Sequence, residues 1–140
     1  MMVPTVRVHV LLSHPGSGDV LLVADGFGGW RPPGTRLRVG ECVGSAARRA
    51  LLARTGVRAD ASVVVGVDSA ADGLHLVCDA GAPDGAPEAI AAGAAAPWGW
   101  ARPGHLGLYL APEVARRTRV ALAVAEGERC EVRALRAGSV

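Results

Sequence analysis

The sequence predicts an α/β domain, and three observations carry that reading. Short apolar or alternating segments punctuated by turn residues read as strands at positions 3–12, 20–24, 62–67 and 74–79. A breaker-free run of Ala, Leu and Arg from Ser45 to Thr55 reads as a helix. A second run, opened by Pro112 and reaching Ala125, reads as another. At 140 residues the chain is read as one domain, 1–140, with a single core.

In order along the chain, Val6, Val8 and Val10 alternate with Arg7 and His9, the pattern of a strand with two unlike faces. The cluster from His14 to Asp19 is a turn, so this strand and the apolar Val20–Ala24 form a hairpin. Asp25-Gly-Phe-Gly-Gly29 is a flexible approach to the next turn; no Gly-Lys-Ser/Thr follows, which argues against a phosphate-cradling loop. Pro32 and Pro33 forbid helix before Gly34. Ser45 is placed to cap the first helix, and Gly56 stands where a left-handed terminal residue is expected. Asp68 to Gly73 reads as the turn between the third and fourth strands. Gly81 to Ala96 reads as a long loop with a helical turn near Glu88–Ala92. In the last helix Val114, Ala121 and Leu122 fall on one side, with Arg116, Arg117 and Arg119 mostly on the other; Arg129–Leu135 reads as a short edge strand.

Composition narrows the classes of partner. All 15 basic residues are Arg, yet the net charge is only +2, too little to argue for nucleic acid or a membrane surface. No apolar run approaches the roughly 18 residues needed to span a bilayer, and no secretion signal is visible at the N-terminus. The three cysteines, Cys42, Cys78 and Cys130, have neither disulfide nor zinc spacing, which favours reduced thiols and a cytoplasmic protein.

The most informative stretch runs from Trp30 to Val57, WRPPGTRLRVGECVGSAARRALLARTGV. Trp30, Pro33-Gly34-Thr35, Gly40-Glu41, Arg49, Leu51 and Gly56-Val57 keep, without gaps, a spacing that resembles the Nudix box of the Nudix hydrolase superfamily. The resemblance covers roughly Thr5 to Ala125 and implies a Nudix fold, a mixed β-sheet sandwiched between helices in α/β/α order. It also implies a pyrophosphohydrolase that uses Mg²⁺ or Mn²⁺ held by glutamates of the box helix. Those positions are Ala50, Ala53 and Arg54 here, so the box is degenerate. A methyl or a guanidinium cannot ligate a hard dication.

The candidate residues follow from that loss. Glu41 is the surviving carboxylate of the box, a lone ligand or general base if functional and a partner for Arg49 if structural. Ala50, Ala53 and Arg54 share roughly one helix face, so Arg54 can hold a phosphate or carboxylate in place of the metal. Arg49, Arg36, Arg38 and Arg31 extend a basic rim. His75 and Asp79 fall on one face of a strand and offer an acid–base pair, although ordinary solvent-facing alternation explains the pattern equally well. Trp98 and Trp100 are read as pointing to opposite sides of their segment, one in the core and one, with Trp30, a stacking platform. Glu88 is the candidate for a carboxylate from the loop after the fourth strand.

Two functions remain open at this level, beside a third, structural class, a subunit that dimerises through its sheet or C-terminal helix, which the sequence neither supports nor excludes. One is a Nudix-fold domain that binds a phosphorylated or nucleotide-like small molecule, needs no metal cofactor and has lost hydrolysis, on its own or as a homodimer. The other is an enzyme, either a hydrolase that recruits Glu41 and Glu88 to Mg²⁺ or Mn²⁺, or a metal-independent catalyst in the same pocket.

Overall fold

The computed structural model describes residues 5–61, 63–83, 90 and 97–136, with the side chains of 129–136 excepted. Two sheets and two long helices make up the described fold. Strands β1 (Val6–Leu12) and β2 (Val20–Ala24) are followed by two short strands, β3 (Trp30–Arg31) and β4 (Gly34–Arg36). Helix α1 (Val43–Thr55) leads to the pair β5 (Val63–Ala70) and β6 (Gly73–Gly81). Strand β7 (Trp98–Ala101) precedes a 3₁₀ turn, the short helix α2 (Leu106–Tyr109) and the long helix α3 (Pro112–Arg136). One sheet has the order β4-β1-β6-β5 and the other β3-β2-β7. The first is mixed, because β1 runs parallel to β6 and antiparallel to β4. The parallel pair requires a crossover, which the chain makes through β2, α1 and β5.

Alternation along β1 decides which helix lies on which face. Val8, Val10 and Leu12 pack with Ala46, Ala47, Ala50 and Leu51 of α1. Leu11, on the opposite face, packs with Val65, Val77, Ala121 and Ala125 beneath α3. The layers are therefore helix, sheet, helix. A third cluster, Leu22, Ala101, Leu106, Leu110 and Ala115, ties the smaller sheet to α2 and α3.

Several elements differ from the sequence expectation. The first strand is described from Val6, since residues 1–4 lie outside the described part. Helix α1 begins two residues before the expected Ser45, with Cys42 as its N-cap, because Val43 and Gly44 do nothing to stop it. Ser45 then lies in the first turn, its Oγ 3.0 Å from Cys42 Sγ. The C-terminus ends as expected, on Gly56 at φ 71° with its N–H bonded to Leu52 O. Strands β5 and β6 run through most of the expected turn and leave only Ala71 and Asp72 between them. The expected strand at 129–135 is helix instead, a continuation of α3, as a run rich in Arg, Glu, Ala and Leu favours. The expected helical turn at 88–92 lies outside the described residues except for Ile90, which is fully buried.

Candidate functional site

The loop before α1 is closed by one arginine. Arg49 Nε donates to Glu41 Oε2 at 3.0 Å and its Nη2 to Oε1 at 2.8 Å, a bidentate pair. The same guanidinium reaches Thr35 Oγ1 at 2.9 Å and the carbonyl of Arg36 at 2.9 Å. Glu41 also accepts from the Arg38 N–H, and these bonds, that from Arg49 first, hold its carboxyl down at about 2. Glu41 is thus engaged at both oxygens. Arg36 bonds Thr5 weakly and, with Arg38, lines a shallow depression on this outer side, away from the cleft described next.

The three box positions at which the resemblance implies glutamate do not share one environment. Ala50 is turned into the core, Ala53 faces solvent and Arg54 is half-buried at the end of α1. Arg54 is close enough to Arg31 to lower the latter's pKa. A hard divalent cation needs several oxygen donors. Of the box positions only Glu41 carries a carboxylate, already bound by Arg49, and among the described residues no group of three or more His, Cys, Asp or Glu is placed to hold a metal. That donor set does not fit Mg²⁺ or Mn²⁺. Glu88 lies outside the described residues.

The larger concentration of chemistry lies between the sheets. A cleft of about 580 Å³ is bounded by Arg7 and His9 of β1, Arg31 of β3, His75 of β6 and the first turns of α3. Its size falls in the usual range for small-molecule sites. Alternation makes this placement inevitable for β1, since Val8 and Val10 take the α1 face and leave Arg7 and His9 on the other. His75 is not solvent-facing as alternation alone suggests. It is 4 % exposed, with its Nδ1 2.9 Å from His9 Nε2 and its Nε2 2.8 Å from Asp72 Oδ1. The two imidazoles stack at 5.2 Å.

The expected His75–Asp79 pair is not formed. Four residues of strand separate the two by roughly 13 Å, and Asp79 accepts from the Gly81 N–H instead. Asp72, in the tight turn, takes the place expected of Asp79. It accepts from His75 Nε2–H, and in the neutral pair His9 Nε2–H then donates to His75 Nδ1. That leaves His9 Nδ1 as an acceptor beside Gly34, where any Cβ would come within 2.9 Å of it. Burial, followed by the like charges of His75, Arg117, Arg7 and Arg31, lowers the His9 pKa to about 3, so His9 is neutral near pH 7.

Arg117 also departs from expectation. It lies on the core side of α3, 8 % exposed, and its Nε donates to Asp68 Oδ2 at 2.9 Å. Asp68 accepts from Arg116 as well. Arg7 and Arg31 have no such partner among the described residues, and Arg31 Nε is buried without a hydrogen bond. Burial first, then Arg7 and Arg54, lower the pKa of Arg31, while Asp25 opposes them.

The tryptophans form a separate feature. Trp98 and Trp100 are two residues apart on β7 and so share a face, their rings edge to face at 6.3 Å, which corrects the expectation of opposite sides. Trp30 and Trp100 line a pocket of about 130 Å³ with Leu22 and Tyr109, below the size of a usual ligand site. Of the expected residues, then, His75 lines the cleft and Arg54 acts on it through its charge beside Arg31, whereas Glu41, Arg49 and Arg36 hold the box loop. His9, Asp72 and Arg7 were not singled out. Their signal was present in the placing of Arg7 and His9 on the odd face of an otherwise apolar strand.

No protein-family model matches the sequence, and no curated protein matches it. Solved structures do. An ADP-ribose pyrophosphatase from Streptococcus suis is 16% identical, with a TM-score of 0.66 over 88% of this chain and 92% of that one. A MutT protein from Methanosarcina mazei is 15% identical, with a TM-score of 0.65 over 91% and 98%. A MutT Nudix hydrolase from Burkholderia pseudomallei is 23% identical, with a TM-score of 0.61 over 87% and 98%. The fold is therefore the Nudix-hydrolase fold. No helix among the described residues is long and apolar enough to cross a membrane.

Proposed function

We propose that this Nudix-fold domain binds a phosphorylated or nucleotide-like small molecule and has lost, or nearly lost, metal-dependent pyrophosphate hydrolysis. The observation that carries the reading is the state of the box. Ala50, Ala53 and Arg54 stand at the helix positions that resemble the metal-binding glutamates, and Glu41 is tied to Arg49 through both oxygens. Fold likeness to hydrolases of nucleoside-diphosphate derivatives supports the ligand class and leaves the chemistry to the site. Calorimetric titration with Mg²⁺ and Mn²⁺, then a screen of nucleoside-diphosphate derivatives for binding and turnover, tests the reading. Ligand binding with no metal-dependent turnover is expected. Turnover that requires metal and disappears in Glu41→Gln would defeat it.

A metal-independent enzyme is the second reading, and the Asp72–His75–His9 chain at the cleft floor favours it. Turnover unaffected by EDTA and lost in His75→Ala would select that alternative. The proposed homodimer draws support from one feature, the edge strand β5 with Val63 and Val67 exposed. Analytical ultracentrifugation at several concentrations decides it, a monomer throughout being the contrary outcome.

A further inference from the structure

We propose that the cleft between the two sheets binds a phosphoryl oxyanion directly on the guanidiniums of Arg7 and Arg31, with no bridging metal, so that a divalent cation competes with the protein for the ligand. The inference rests on the reading above that the ligand is phosphorylated, and it adds where and by which groups the phosphate is held.

The argument begins with charge bookkeeping inside the cleft. Four arginines line it, Arg7, Arg31, Arg116 and Arg117, together with three acids, Asp68, Asp72 and Glu113. Asp68 is taken by Arg116 and Arg117, and Asp72 by His75. Glu113 is exposed in the first turn of α3, where the helix dipole suits a carboxylate. Arg7 and Arg31 remain, converging from different sheets onto the same neighbour, His9. A partly buried guanidinium without a hydrogen-bonded partner costs stability. Here one such group, Arg31, with its Nε buried and unbonded among the described residues, sits in the field of Arg7 and Arg54, which Asp25 offsets only in part. An oxyanion would supply what the protein withholds, since arginine donors match phosphate oxygens in geometry as well as charge. His9 Nδ1, a neutral acceptor in the same cleft, can accept a hydrogen bond from a phosphate hydroxyl.

The role of divalent cations then reverses. In a metal-bridged site the cation joins protein and phosphate. Here no seat for it exists among the described residues, and a cation bound to the ligand in solution neutralises the charge that Arg7 and Arg31 recognise.

The test uses the whole chain and inorganic pyrophosphate, by calorimetry in EDTA and again with millimolar Mg²⁺. Wild type is expected to bind in EDTA and to bind less tightly when Mg²⁺ is added. Arg31→Met and Arg7→Gln should each weaken binding by tenfold or more. Arg31→Met carries a second readout that a merely structural arginine would not give. Without ligand it should melt higher than wild type, because an unbonded buried donor is gone, and it should lose the rise in Tm that pyrophosphate produces. Unchanged affinity in both variants, with binding abolished by Arg54→Ala, would overturn the inference while leaving the proposed function intact. Binding that requires Mg²⁺ would overturn it too. Failure of wild type to bind any phosphate compound would remove the proposed function and this inference together.

Discussion

The box loop and the cleft between the sheets both hold arginines, and they treat them in opposite ways. In the loop every donor of Arg49 that points inward finds an oxygen, from Glu41, Thr35 or Arg36. In the cleft Arg31 keeps a buried Nε with no acceptor among the described residues, beside Arg7, which has no acid partner among them either. Satisfied polar networks fix a scaffold, and unsatisfied ones mark a place where something else is to bind. On the function proposed above, the box serves as a brace and the cleft as the place of recognition.

The largest effect that would sharpen the contrast is one of pH, centred on His9. Its folded pKa, about 3, lies below the ordinary value of 6.5. Between those values the unfolded chain holds a proton that the folded chain does not. Stability is therefore fully present above the ordinary value and falls as pH drops through the window, by up to about 1.4 kcal/mol per pH unit. His9→Gln keeps a donor for His75 Nδ1 and removes the titration. Thermal melts from pH 7 to pH 4 should fall much more steeply for wild type than for this variant. Parallel curves would mean that His9 is not held neutral by the cleft.

Next in size is the brace itself. Arg49→Ala deletes four hydrogen bonds at once and leaves Glu41 without its cation. Tm is expected to fall by roughly 5 °C at pH 7. The Glu41 pKa is depressed to about 2 from 4.5, so the stability of this pair is present above the ordinary value and lost as pH falls toward the lower one. The gap between wild type and Arg49→Ala should therefore narrow below about pH 4. A gap that persists at pH 2.5 would show that packing, and not the ion pair, is what Arg49 contributes.

How much of this was legible in the sequence depends on the range of the interaction. The helix ending at Gly56, the strand at 20–24 and the alternation of β1 are local patterns, and the structure reproduces them. Pairing of Glu41 with Arg49 was also within reach, because both lie in one contiguous motif. The cleft was not. His9 and His75 are 66 residues apart and meet only because β1 and β6 run parallel as neighbours. Asp72 joins them because the turn it occupies is tighter than its composition suggested. Arg117 was placed opposite the apolar side of its helix, whereas it is buried and pairs with Asp68, which comes from a different element. In each case the missing information was how distant segments meet, a strand register or the docking of a helix on a sheet, which hydrophobic pattern does not specify.

The smallest expected effect bears most directly on where the two regions divide. Arg54 ends α1 in the brace, yet its charge is felt by Arg31 in the cleft. It is half-buried and near a helix C-terminus, where a cation is favourable, so Arg54→Ala should change stability by no more than about 0.5 kcal/mol. If it acts only through its field, losing it should weaken pyrophosphate binding two- to threefold, and that loss should shrink as salt is raised, because a charge acting at a distance is screened. A residue in direct contact with the phosphate would behave otherwise, losing far more and retaining much of the deficit at high salt. Measuring Arg54→Ala at low and high salt beside Arg31→Met therefore places the edge of the binding site on one side of Arg54 or the other. A large, salt-insensitive loss would extend the site across the end of α1 and dissolve the separation between brace and cleft.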